Sequence, residues 1–137
     1  MKEGFTIIET LKLPSDLTSL VDVEALINKV GETLEVSEEV YGNVLIAVTE
    51  AVNNAIIHGN KNAADLLVEV AVGNGEEDFC FKIVDGGQGF DFNDLPDPTA
   101  PENILKENGR GIFLMKNLAD EVEFENGGNT VSLYFNK

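Results

Sequence analysis

Residues 37–60 carry an apolar stripe at helical spacing, broken on one side by a carboxylate and a carboxamide. Val40, Val44, Leu45, Val48, Ala51 and Val52 precede Asn54, and Ala55 and Ile56 follow it. That period predicts an amphipathic helix. Ser37 is its N-cap, with Glu38 and Glu39 in the first turn. The helix is expected to stop near His58-Gly59-Asn60, Gly59 being the residue just past the cap. At about 100° per residue, Glu50 and Asn54 project only about 40° apart. Asn costs roughly 0.7 kcal/mol against Ala in a helix, and a polar side chain on a buried face needs partners. The pair suits a hard cation held by an amide oxygen, beside a carboxylate acting as general base. An ordinary solvated helix face would carry the same two residues.

The rest of the chain supplies what such a helix can cover. Gly4 to Leu13 predicts a first strand. Pro14-Ser15-Asp16 ends it and opens a helix through Leu17, Leu20, Val21, Ala25 and Val30. Leu66–Val72 and Phe79–Val84 predict a hairpin about Gly73-Asn74-Gly75. Val122–Phe124 and Val131–Phe135 predict another about Asn126-Gly127-Gly128-Asn129. Helices not interleaved strand by strand with hairpins imply an α+β fold. We expect a two-layer sandwich, its mixed, mostly antiparallel sheet covered on one face by helices.

Two glycine-rich turns punctuate this pattern. Asp85-Gly86-Gly87-Gln88-Gly89 follows the strand ending at Val84, and Asn108-Gly109-Arg110-Gly111 opens a helical run from Ile112 to Leu118. Such turns allow close backbone approach to a phosphorylated ligand. Each alone is equally a structural turn, and neither is a P-loop or a dinucleotide fingerprint. Their order and separation, together with the Glu50/Asn54 helix, are what is specific. Between them, about 90–108 lack periodicity and contain Pro96, Pro98 and Pro101. A stretch of this length reads as a lid over the ligand or as a passive surface loop.

Composition narrows the partners. With 137 residues, 43% of them hydrophobic, residues 1–137 are expected to form one domain. Twenty-five acidic residues against nine basic ones give a net charge of −16, which argues against direct nucleic-acid binding. The same field attracts a basic protein surface, or merely keeps the chain soluble. Cys80 is the one cysteine and lies in a strand pattern, so neither a disulfide nor a zinc cluster is expected. The sequence shows no apolar run expected to span a bilayer, and Met1-Lys2-Glu3-Gly4 begins no signal peptide. A cytoplasmic protein without membrane contact is the expectation.

E-A-V-N-N-A-I-I-H-G, D-G-G-Q-G and G-R-G-I-F-L-M together resemble the N box and two glycine boxes of the GHKL ATPases. Within that superfamily the chain is most similar to the bacterial anti-sigma-factor serine/threonine kinases. The resemblance runs from the first strand to the last. It implies the GHKL (Bergerat) ATP-binding fold, with ATP and Mg²⁺ as cofactors. Glu50 becomes the catalytic base, Asn54 the magnesium ligand and Asp85 the acceptor from the adenine amino group. Gly87 and Gly89 let the chain wrap the nucleotide. Gly109, Arg110, Gly111 and Ile112 cradle phosphates, and Thr130 lies near adenine. The implied partners are a sigma factor and an anti-anti-sigma (STAS-type) protein, the latter the kinase substrate, with the chain a homodimer. The lid arginine of the well-described members is absent, leaving Lys106 and Arg110 as candidates for the positive charge. Two other readings use the same residues. One is a nucleotide-gated binding module without kinase activity. The other is a stand-alone histidine-kinase-like ATPase domain, which would act in trans on a histidine elsewhere, since His58 is the sole histidine here.

Overall fold

The computed structural model describes residues 1–60, 63, 65–86, 107–125 and 129–137, with only the backbone of 107–110. Strand β1 (Thr6–Pro14) leads through a short 3-10 turn (Leu17–Ser19) into helix α1 (Leu20–Thr33). Helix α2 (Glu38–Asn54) runs directly into a π turn (Ala55–Gly59). The chain continues through β2 (Leu67–Asn74), β3 (Asp78–Val84), helix α3 (Glu107–Leu118), β4 (Glu121–Glu125) and β5 (Thr130–Asn136). The sheet order is β1-β2-β3-β5-β4. Among the described residues every pairing is antiparallel, so the expected α+β two-layer fold forms with an antiparallel sheet in place of a mixed one.

Alternation along the strands decides which face the helices cover. Val68, Val70 and Val72 of β2, Phe79, Phe81 and Ile83 of β3, and Val131, Leu133 and Phe135 of β5 form one buried layer. Against it pack Val23, Ile27 and Val30 of α1 and Val44, Val48 and Val52 of α2. Each such side chain contributes about 1.5–3 kcal/mol on burial. Phe79 stacks on Phe135 with ring centroids 5.5 Å apart. By length and composition Glu38–Gly59 could cross a membrane (22 residues, mean hydropathy 1.3), contrary to the sequence expectation. Here its apolar stripe packs on the sheet.

The opposite sheet face is partly closed by the first residues of the chain. The Lys2 amide donates to the Tyr134 hydroxyl at 3.0 Å, and Phe5 meets the Tyr134 ring edge-on at 5.5 Å. Beneath them Cys80 is fully buried, and burial pushes its thiol up to about 11. A buried structural thiol is thus what the strand pattern delivers.

Local chemistry explains the boundaries. The Ser37 hydroxyl accepts from the Val40 amide at 3.3 Å, the cap the sequence implies. Asp16 caps the 3-10 turn by accepting from the Thr18 amide at 2.9 Å. The first hairpin turns later than expected. Gly73 and Asn74 stay in β2 because they pair with β1 at Ile7 and Thr6 and with β3 at Cys80 and Phe79. The Met1 side chain packs over Gly73, where a Cβ would displace its flexible end.

Helix α1 ends in a Schellman motif: the Val36 amide donates to the Gly31 carbonyl at 2.9 Å and Glu35 to Glu32 at 3.3 Å. Glu35 occupies the left-handed position, φ 54°, where glycine is usual. Replacing it removes steric strain but loosens the unfolded chain, two opposing effects. Glu35→Gly is expected to stabilise the protein by about 0.5–1 kcal/mol net. Urea unfolding should show a higher midpoint at unchanged slope.

Candidate nucleotide site

Glu50 and Asn54 lie one helical turn apart on the edge of α2 that faces α3. Helix α3 comes against them at Gly111. A Cβ on Gly111 would lie 2.9 Å from Asn54 Nδ2, 3.1 Å from Glu50 Oε2 and 3.3 Å from Asn54 Oδ1. Glycine at 111 is therefore what allows α3 to approach. Gly109, Arg110, Gly111 and Ile112 all fall within the first turns of α3, where helix N-termini favour anions.

Asn54 Oδ1 is buried and, among the described residues, accepts no hydrogen bond. An orphaned buried acceptor costs about 1–3 kcal/mol unless a water, ion or ligand meets it, and Asn74 Oδ1 and Ser132 Oγ are orphaned in the same way. A carboxamide oxygen is a hard donor suited to Mg²⁺. Among the described residues no group of three or more His, Cys, Asp or Glu side chains gathers to hold a metal. One protein donor plus substrate phosphates is the usual way Mg²⁺ is held at such sites. The residues present fit ATP-bound Mg²⁺.

Asp85 stands at the other end, just beyond β3. Its amide donates to the Asn129 carbonyl at 2.9 Å, tying it to the start of β5. The next amide, of Gly86, donates to Asn60 Oδ1 at 2.8 Å. The Asp85 carboxylate packs on Gly59, where a Cβ would lie 2.8 Å from its Oδ1. The sequence expectation for Gly59 thus needs correcting. It does not end the helix in a left-handed conformation; the only described glycine with positive φ is Gly4. It lies inside the π turn, and its missing side chain makes room for Asp85.

Between Asn54 and Asp85 runs a narrow cleft of about 40 Å³. Ala51, Ala55, Ile83, Met115, Phe124 and Val131 give it apolar walls, with Asn54, Asp85 and Asn129 as polar points. At this volume the cleft admits only a few waters, but its make-up, apolar walls with a few convergent polar groups, is that of a small-ligand site.

The sequence profile of the histidine kinase-like ATPase domain matches residues 13–135. The chain belongs to the histidine kinase-like ATPase family. Two curated members of the family with similar sequences are serine-protein kinases named RsbW. That of Bacillus subtilis is 29% identical, over 97% of this chain and 87% of its own. That of Bacillus cereus (strain Q1) is 25% identical, over 98% of both chains. Among solved structures, the RsbU and RsbW domains of a Mycobacterium tuberculosis protein superpose with a TM-score of 0.62 at 16% identity. That superposition covers 94% of this chain and 32% of the other, and the likeness is one of fold.

Asn54, Asp85 and Ile112 line one cleft, and Glu50 and Gly111 meet beside Asn54. Thr130 is one residue out of phase: its neighbours Asn129 and Val131 line the cleft, while its hydroxyl donates to Asn129 Oδ1 at 3.2 Å. Gly87, Gly89 and the lid up to Lys106 lie outside the described residues, as does the Arg110 side chain. Sequence reasoning missed Gly59, Asn60 and Asn129 as parts of the site. The one signal for the first two was their place directly after the Glu50/Asn54 helix.

Proposed function

We propose that this protein is a cytoplasmic, ATP- and Mg²⁺-dependent protein serine kinase that phosphorylates an anti-anti-sigma (STAS-type) protein and sequesters a sigma factor, working as a homodimer. The observation that carries the reading is the unpartnered Asn54 Oδ1, beside Glu50 and against Gly111 at the start of α3. The relatives named serine-protein kinases support the reaction class. The resemblance to anti-sigma-factor kinases supports the two partners. A net charge of −16 suits a partner with a basic face.

In this reading Glu50 takes the proton from the acceptor serine hydroxyl while the serine oxygen bonds the transferred phosphorus and ADP departs. Asn54 would hold Mg²⁺, which would supply charge neutralisation at the phosphates. The α3 N-terminus and its glycines orient the same groups, and Asp85 accepts from the adenine amino group. Most of the catalytic effect is then positioning and electrostatics.

Incubation with labelled ATP and candidate acceptor proteins, beside pull-down of the sigma factor, tests the whole reading. Transfer to a serine of a STAS-type protein is the expected result. Capture of a partner without transfer to any acceptor leaves a nucleotide-gated binding module instead. The metal role has its own check. Asn54→Ala is expected to abolish the tightening of ATP binding by Mg²⁺ while leaving the fold intact. Calorimetry with and without EDTA measures it, and equal affinities in both conditions for both proteins would remove Asn54 from the metal site.

A further inference from the structure

Asn60 is 2% exposed, directly after the π turn, and none of the roles assigned above uses it. Its surroundings fix which way its carboxamide points. The Gly86 amide can only donate, so the atom 2.8 Å away is the carboxamide oxygen. The Leu67 carbonyl can only accept, so the atom 3.3 Å away is the nitrogen. The same nitrogen donates to Ser15 Oγ at 2.7 Å, and Ser15 donates onward to the Leu66 carbonyl at 2.6 Å. One acceptor and two donors are required, and asparagine supplies all three.

This small buried network joins four separate pieces of chain. They are the exit of the α2 helix, the end of β1, the entry to β2 and the turn after β3. Only the last carries a candidate ligand-reading group, since Gly86 follows Asp85. The Asp85 amide is already held by a backbone carbonyl, that of Asn129. Its carboxylate is bounded by Gly59. The Asn60 side chain adds a hold on the residue that follows, through the Gly86 amide.

We infer that Asn60 is the positioning residue for the Asp85 carboxylate, and that through Ser15 it anchors adenine selection to the end of the first strand. The inference rests on the nucleotide reading of the cleft. With the turn fixed, Asp85 presents an acceptor at one place, matching the amino group of adenine and opposing the carbonyl of guanine. With the turn loose, the carboxylate can move aside, and the two bases become similar in cost.

The test compares ATP and GTP binding by competition in wild type, Asn60→Ala and Ser15→Ala, with amide hydrogen exchange at Gly86 in the unliganded proteins. Wild type is expected to prefer ATP by about tenfold or more. Asn60→Ala is expected to reduce that ratio below about threefold, because a displaced acceptor no longer penalises guanine. It should also accelerate exchange at Gly86. A merely structural loss would lower both affinities by the same factor and leave the ratio intact. An Asn60→Ala protein that folds and keeps the ATP preference overturns the inference, whatever its exchange rate. If Asn60→Ala does not fold, Ser15→Ala decides: a fallen ratio supports the inference and a retained ratio overturns it. A wild type that does not prefer ATP overturns the adenine reading itself, and this inference with it.

Discussion

Glu50→Gln is expected to lower phosphoryl transfer to the acceptor protein by about 10²–10⁴-fold, the usual range for losing a general base. The amide keeps the shape of the carboxylate and most of its hydrogen bonding. Its loss is felt where the serine proton must be taken up, a step reached only in the transition state. ATP affinity and sigma-factor capture should therefore survive. Radiolabel transfer, measured beside nucleotide binding, separates the two. A Glu50→Gln protein that transfers phosphate at the wild-type rate would make Glu50 a structural residue.

Gly111→Ala is expected to act in opposite directions on stability and activity. The position lies within α3, and alanine is favoured over glycine in a helix by about 1 kcal/mol. The added methyl meets Asn54 Nδ2 at 2.9 Å and Glu50 Oε2 at 3.1 Å, both ends of flexible side chains. Those ends can yield without disturbing the core, so the protein should fold and melt at or above the wild-type temperature. The displacement falls on the two groups that must be placed most accurately. A shift near 1 Å can cost about 10²-fold in rate. Thermal unfolding and phosphoryl transfer on one sample check both halves. An active Gly111→Ala protein would mean that the approach of α3 to Glu50 and Asn54 plays no part in catalysis.

What was legible in the sequence was what repeats with a short period. The apolar stripe of α2 sets the facing of Glu50 and Asn54, and alternation marks β2, β3 and β5. What escaped depends on residues distant in sequence. The first hairpin turns two residues late because β1 continues to pair with Gly73 and Asn74. Gly59 reads as a helix stop, yet its lack of a side chain answers to Asp85, 26 positions further on. Asn60 gives no local signal because its partners come from three other segments. Glu35 sits in a left-handed backbone conformation that nothing in its chemistry announces.

The strand order has a consequence for how the protein is made. β5 is last in the chain but second from the sheet edge, between β3 and β4. On a ribosome, Phe79 would wait for Phe135, and the Asp85 amide for the Asn129 carbonyl, until β5 had been synthesised. A nascent chain that stops short of Thr130 has neither a closed core nor a complete cleft wall, since Asn129 and Val131 both line it. Nucleotide can therefore reward only chains that have reached β5, and products truncated before it should gain nothing from ATP in the cell.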